Sequence, residues 1–163
     1  MGAIIFSELL LTKKDITDID VFALSNYIDI SPSQVKKATV SPGKIIIDDN
    51  NIEYFRQNPH FEEGLTIIEP FFEGKFVIHS FCSYQTRKIV SNDINDSISI
   101  LENMFSGKAK SLKEACLNLN LMAKVIINIK EEELSIHDIV LSAKSILFWN
   151  DFNIDIEIKY DFY

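Results

Sequence analysis

The chain is short of the residues that build most recognisable active sites. Of its 163 residues only two are cysteine, three histidine and five glycine. Cys82 and Cys116 sit in separate apolar segments with no second cysteine near either. That spacing excludes a C-x-x-C centre and suits reduced, packed thiols in a cytosol. The scattered glycines form neither G-x-G-x-x-G nor the phosphate-loop pattern, which excludes nucleotide binding by those routes. His60, His79 and His137 are too far apart for a zinc helix motif, so no metal or other cofactor is expected. No run of about 18 apolar residues occurs, as a membrane span would require. Glu8 breaks the first apolar stretch and no basic residue precedes it, so no signal peptide is expected. Basic residues are outnumbered 16 to 24, a net charge of −8. A phosphate backbone or an anionic membrane would on average be repelled. The expected location is the cytoplasm, with no nucleic-acid or membrane partner.

What is present describes an ordered domain. Hydrophobic residues make up 47% and charged residues 25%, well outside the regime of disordered chains. A chain of this length buries roughly 70% of its unfolded surface and needs no staple. No linker, repeat or composition break divides it, so residues 1–163 read as one domain with a loop-rich region at about 41–64.

Ala3 to Leu11 reads as a strand. Thr17 with Asp20 has the form of a capping box, predicting a helix with Val21, Leu24 and Ile28 on one face. Ser31, Pro32, Ser33 and Gln34 predict a short second helical turn through Lys37. Beyond a turn at Ser41, Pro42 and Gly43, Ile45 to Ile47 reads as a brief strand. Leu65 to Phe72 and Lys75 to Gln85 predict a hairpin turning at Glu73 and Gly74, the second strand long and central. Asp93 predicts a helix cap before Ile94, Ile98, Leu101 and Phe105. Ser111 with Glu114 predicts another before Leu112, Ala115, Cys116 and Leu119. Ser135 is expected to open the last helix, with Ile136, Ile139, Val140, Ala143 and Leu147 on its apolar face.

The ending carries the clearest pattern. Phe152, Ile154, Ile156, Ile158, Tyr160 and Phe162 alternate with polar residues, as in a strand buried on one face only. Leu121 to Lys130 alternates likewise, and a helix between the two predicts a parallel βαβ unit. Fully parallel sheets covered on both faces read as continuous apolar runs, so helices are expected on one face alone. The predicted fold is α+β, a two-layer sandwich with an elaborated ferredoxin-like, mixed sheet.

Candidate sites are few. Asp48, Asp49, Glu53, Glu62 and Glu63 gather around Tyr54, Phe55 and Phe61. Carboxylates steer a basic partner and aromatic anchors supply desolvation energy, so these eight residues are the candidate partner-binding segment; a solvated loop is the alternative. Asp48 to Asn51 lacks the ligand spacing of a calcium loop. A second candidate is the polar strand end from Ser80 to Arg87 with His79, where hydroxyls and a guanidinium could serve a small ligand or an enzyme. His79 and Cys82 are three apart on a predicted strand, so their side chains would point to opposite faces. Trp149 reads as a core plug.

The early helix through Leu24 into Ile30, Ser31, Pro32 and Ser33, the strand around Ser80, and the ending from Ile154 to Tyr160 are shared features. Through them the chain resembles an uncharacterised bacterial domain-of-unknown-function family, some members of which are encoded in polymorphic-toxin immunity loci. It departs from that pattern at Asp29, where a glycine is usual, and at Phe81, where a tryptophan is. The resemblance implies no catalytic residues. It implies a partner-binding protein, with a bacterial immunity protein that neutralises a basic toxin as one form. No catalytic motif is found, and the expectation is a protein that is not an enzyme.

Overall fold

The structure is a computed structural model that describes residues 2–41, 65–67, 76–131 and 139–162. It is α+β. The large sheet is built on β1 (Ala3–Lys13), whose neighbours are antiparallel on both sides. On one side lie β6 (Phe81–Gln85) and β7 (Ile89–Ser91), and on the other β8 (Leu121–Glu131). Outside β6 runs β2 (Gln34–Lys36), antiparallel to it, and outside β8 runs β9 (Asp155–Phe162), parallel to it. The strand order is β2-β6-β1-β8-β9, with β7 beside β1. A second, three-stranded antiparallel sheet has β5 (Phe76–Ile78) between β3 (Thr39–Ser41) and β4 (Leu65–Ile67).

β6 and β7 are one strand interrupted by a bulge. Glu8 pairs with Gln85 and Ile5 with Ile89, so two residues of β1 face three on the other side, Thr86, Arg87 and Lys88. Thr86 repairs the ladder with its side chain. Its backbone N–H donates to Ser7 O at 2.9 Å, and its Oγ1 accepts from the Ser7 N–H at 2.9 Å.

The described helices are α1 (Val21–Tyr27), α2 (Ile94–Phe105), α3 (Ala109–Asn118) and α4 (Ala143–Phe152). They pack against the odd-numbered side chains of β1. Ile5, Leu9 and Leu11 share one core with Val125, Ile127 and Ile129 of β8 and with Leu24, Ile98, Leu101, Phe105 and Trp149 of the helices. Trp149 is fully buried at the centre of an aromatic group, with ring centroids 6.3 Å from Phe105, 5.0 Å from Phe148 and 5.2 Å from Phe152. Asn120 and Asn153, each with φ of 55°, turn the chain from helix into β8 and β9. Asparagine tolerates this left-handed region better than other residues with a Cβ.

Several sequence expectations are corrected by competing local bonds. Asp20, not Thr17, caps α1, accepting from Ala23 N at 2.9 Å; Thr17 instead donates to Asp15 in a turn. The Ser31–Lys37 helical turn is replaced by β2. Ser33 N donates to Ser83 O at 2.7 Å and Ser33 Oγ accepts from Gln85 N, so pairing with β6 satisfies the backbone that a helix would have. The long central strand divides at His79 and Ser80, sending β5 and β6 to different sheets. The hairpin between β4 and β5 is present, and its turn lies outside the described residues.

α3 begins at Ala109 with no side-chain cap, because the left-handed Gly107 (φ 73°) ends α2 and restarts the chain at once. Ser111 is inside the helix. α4 begins after Ser142, whose Oγ accepts from Ser145 N at 3.1 Å. Ile139 and Val140 precede it and are not helical, and Leu147 is exposed while Ser145, Trp149 and Phe152 are buried. Ser135 and Ile136 lie outside the described residues, as do Ile45 to Ile47.

Candidate functional site

The segment holding Asp48, Asp49, Glu53, Tyr54, Phe55, Phe61, Glu62 and Glu63 lies outside the described residues. The second candidate, from His79 to Arg87, is described; the side chains of His79, Ser80 and Thr86 are committed to holding the fold, whereas Ser83 Oγ and Tyr84 OH are buried with no hydrogen-bond partner among the described residues. His79 is buried, and its Nδ1 lies 2.7 Å from Lys13 O and 2.9 Å from Asp15 O. Two carbonyl acceptors require that this nitrogen carry the proton. Ser80 Oγ donates to Lys36 O at 2.8 Å and accepts from Ile19 N at 3.0 Å. Thr86 closes the bulge, and Ser7 Oγ meets Ser97 Oγ of α2 at 2.8 Å beside it. Tyr84 is fully buried, edge-on to Phe105. Arg87 is exposed. No hydroxyl of this set is aligned with a base in the described contacts.

Both thiols are free, Cys82 buried and Cys116 partly buried. Burial pushes the Cys82 thiol up to about 12 and the Cys116 thiol up to about 11, the reverse of what a nucleophile needs. In the unfolded chain Cys82 would ionise near its ordinary 9.0. Between those values only the unfolded state loses the proton, so stability falls as pH rises from 9 toward 12. Cys82→Ala is expected to lower stability by about 1 kcal/mol at pH 7 and to flatten that alkaline decline. Urea midpoints of both proteins at pH 7 and pH 10 check this. Among the described residues no group of three or more His, Cys, Asp or Glu side chains could hold a metal ion, and no helix is long and apolar enough to cross a membrane.

Among the described residues two features could meet another molecule. The first is the sheet face carrying the even-numbered side chains of β1, which belong to no part of the helix-packed core. Its strands carry an ordered polar lattice. Gln85 Nε2 donates to Glu8 Oε2 at 2.9 Å, and Asn128 Nδ2 donates to Glu8 Oε1 at 3.3 Å. Lys124 Nζ donates to Glu157 Oε2 at 2.8 Å, with Lys159 3.9 Å from the other oxygen. The Lys124 hydrogen bond holds the Glu157 carboxyl below its ordinary range. Lys130 pairs with Asp161 at 3.6 Å. Phe6 and Phe81 lie on this face by register, with Lys88 and Lys36 over their rings at 5.7 and 5.6 Å. Asp155 and Asp161 are exposed at its β9 border.

The second is a cavity of about 870 Å³ where β1 ends and β8 and β9 begin, between the face just described and α3. Leu112, Leu121, Phe152 and Ile154 supply buried apolar walls. Among the described residues five lysines line it, Lys13, Lys14, Lys113, Lys124 and Lys159, with the carboxylates of Asp155 and Glu157. Lys13 Nζ donates to Leu119 O at 2.6 Å and lies 3.9 Å from Asp15. Sequence reasoning missed this cluster because its members come from β1, α3, β8 and β9. In the chain they read as dispersed charges, with only Lys13 and Lys14 adjacent. No protein-family model, curated protein or solved structure matches the chain.

Proposed function

We propose that the protein is a non-catalytic partner-binding protein and that the face of the large sheet on which no described helix packs is a contact surface. The observation that carries this reading is the ordered lattice across that face, in which Glu8, Glu157 and the lysines are already held in place. Charges fixed before encounter lose little side-chain entropy on binding. The hydroxyls of Ser80 and Thr86, which are taken up by backbone groups, and the burial that raises both thiols support the non-catalytic part.

The specific form we propose, from the resemblance to immunity-locus proteins, is neutralisation of a basic toxin in the cytoplasm. The acidic segment from Asp48 to Glu63 would supply a second set of carboxylates. We read the frame as a two-layer, elaborated ferredoxin-like sandwich. Support comes from strand directions: β1 and β2 run parallel with β6 antiparallel between them, and β6 and β8 likewise flank β1. That is the interleaving of two split βαβ units, with β9 added outside.

The test uses the protein product of the adjacent reading frame as the binding partner, at two salt concentrations. One variant carries Asp155→Lys and Asp161→Lys; the other carries Glu53→Lys, Glu62→Lys and Glu63→Lys. The first is expected to weaken binding roughly tenfold or more, with the larger loss at low salt. Unchanged affinity in both variants, with circular dichroism unaltered, would overturn the reading.

A further inference from the structure

We propose that β9, where the sheet face ends, is a dimerisation edge: it pairs antiparallel with β9 of a second copy of this chain and joins two large sheets into one. The contact uses the edge of the sheet rather than its face, and does not depend on partner binding there. β9 closes the strand order, bonded to β8 on one side, and among the described residues no strand lies on the other. Along such an edge alternate residues turn their N–H and C=O groups away from the sheet, and another strand satisfies the whole row. β9 offers eight residues for this, whereas β2 at the opposite edge offers three. The edge also leaves apolar side chains uncovered. Ile156, Ile158 and Tyr160 pair with the buried Val125, Ile127 and Ile129, yet the two isoleucines are only partly buried and Tyr160 is exposed. Tyr160 borders a small cleft with Ile139 and Val140, which are exposed as well.

The order of charges along β9 makes a second copy the fitting strand and sets its register. In a two-fold pair the strand faces itself in reverse, and residues directly opposite share a face of the joined sheet. Centred on Ile158, the pair sets Glu157 against Lys159 twice on one face. On the other face it sets Ile158 against Ile158 and Ile156 against Tyr160, which continues the apolar row across the junction. Moving the centre by one residue sets Lys159 against Lys159 or Glu157 against Glu157, and like charges directly opposite oppose pairing. A centre on Tyr160 sets Lys159 against Asp161 but leaves Asp155 and Ile156 without partners. In the favoured register the like-charged pair is Asp155 with Asp161, at the two ends, where both are exposed and salt screens them. Within one chain Glu157 keeps its bond to Lys124 at 2.8 Å and lies 3.9 Å from Lys159. The charges therefore choose the register, while backbone bonds and the apolar row supply the affinity.

The test is sedimentation of the protein alone over a range of concentrations, with circular dichroism as the check on each variant's fold. The parent chain is expected to dimerise reversibly. Glu157→Lys sets lysine against Lys159, and Lys159→Glu sets glutamate against Glu157, so each variant by itself should associate about tenfold more weakly or worse. An equimolar mixture of the two restores unlike charges at both positions and should dimerise as well as the parent, a rescue that damage to a single fold would not produce. Ile158→Cys reports the register independently. Opposite residues of an antiparallel pair lie within disulfide reach, so mild oxidation by a copper–phenanthroline catalyst should give a dimer linked from position 158 to position 158, read by mass spectrometry of the joined peptides. A parent chain that stays monomeric up to about 0.5 mM would overturn the proposal and leave the charges of β9 as guards of an open edge. Unweakened variants, a mixture that fails to associate, or no link between the two positions 158 would overturn it as well. No other protein enters these measurements, so their failure leaves partner binding by the sheet face standing.

Discussion

Trp149→Ala is expected to lower stability by about 3–5 kcal/mol, the largest loss from any single substitution considered for this chain. The side chain is fully buried and packs against Phe105, Phe148 and Phe152, so truncation leaves a void at the junction of α2 and α4. Rings held on both sides by other rings have little room to collapse inward, which places the cost at the upper end for cavity formation. Trp149→Phe should cost much less. It keeps most of the ring contact and removes an indole N–H that has no hydrogen-bond partner among the described residues. Trp149 is the single tryptophan, so unfolding of the parent protein can be followed by its fluorescence and that of the variants by circular dichroism in urea. A loss below about 1 kcal/mol for the alanine variant would mean that this group is not the centre of the core.

Thr86→Val is expected to cost about 1–3 kcal/mol, although it preserves shape. The hydroxyl accepts from the buried Ser7 N–H at the bulge, where no backbone carbonyl takes its place. Valine would leave that donor desolvated and unpaired, which costs more than an ordinary hydrogen bond contributes. The adjacent Ser7 and Ser97 hydroxyls, 2.8 Å apart and both fully buried, provide the contrast. Ser7→Ala leaves Ser97 Oγ only its longer contact to Thr86 Oγ1 at 3.4 Å, Ser97→Ala strands the hydroxyls of Ser7 and Thr86, and the double variant strands that of Thr86 alone. The cycle of urea unfolding energies should therefore be non-additive by about 1 kcal/mol, the pair costing less than its parts. Additive losses would show that the two hydroxyls do not depend on each other.

These two sites differ in how far the sequence reveals them. Trp149 as a core plug follows from its size and apolar flanks. The bond from Ser7 to Thr86 joins positions 79 apart and has no signature in either neighbourhood. The same division holds for the elements. The alternation of β1, β8 and β9 and the 3.6-residue spacing of α2 depend on which side chains face the core, and that information is local. β2 was unreadable because Ser31, Pro32, Ser33 and Gln34 satisfy a helical start as well as an extended one. The choice was made by Ser83 and Gln85, which offer β6 as a partner. The start of α4 was misplaced because Ile139 and Val140 fit a helical period yet lie outside the helix, ahead of its cap at Ser142.

For function the boundary falls in the same place. Composition and short-range periodicity account for the scarcity of reactive groups, the negative net charge, the separate apolar settings of the two thiols and the parallel β8–α4–β9 unit. Long-range pairing and packing alone make Ser80 and Thr86 part of the fold, lock Glu8 and Glu157 into a lattice, and bring lysines from four parts of the chain to one cavity. Strand pairing brings distant residues within hydrogen-bonding range. Once there, a charge acts over a few ångströms whatever its distance along the chain.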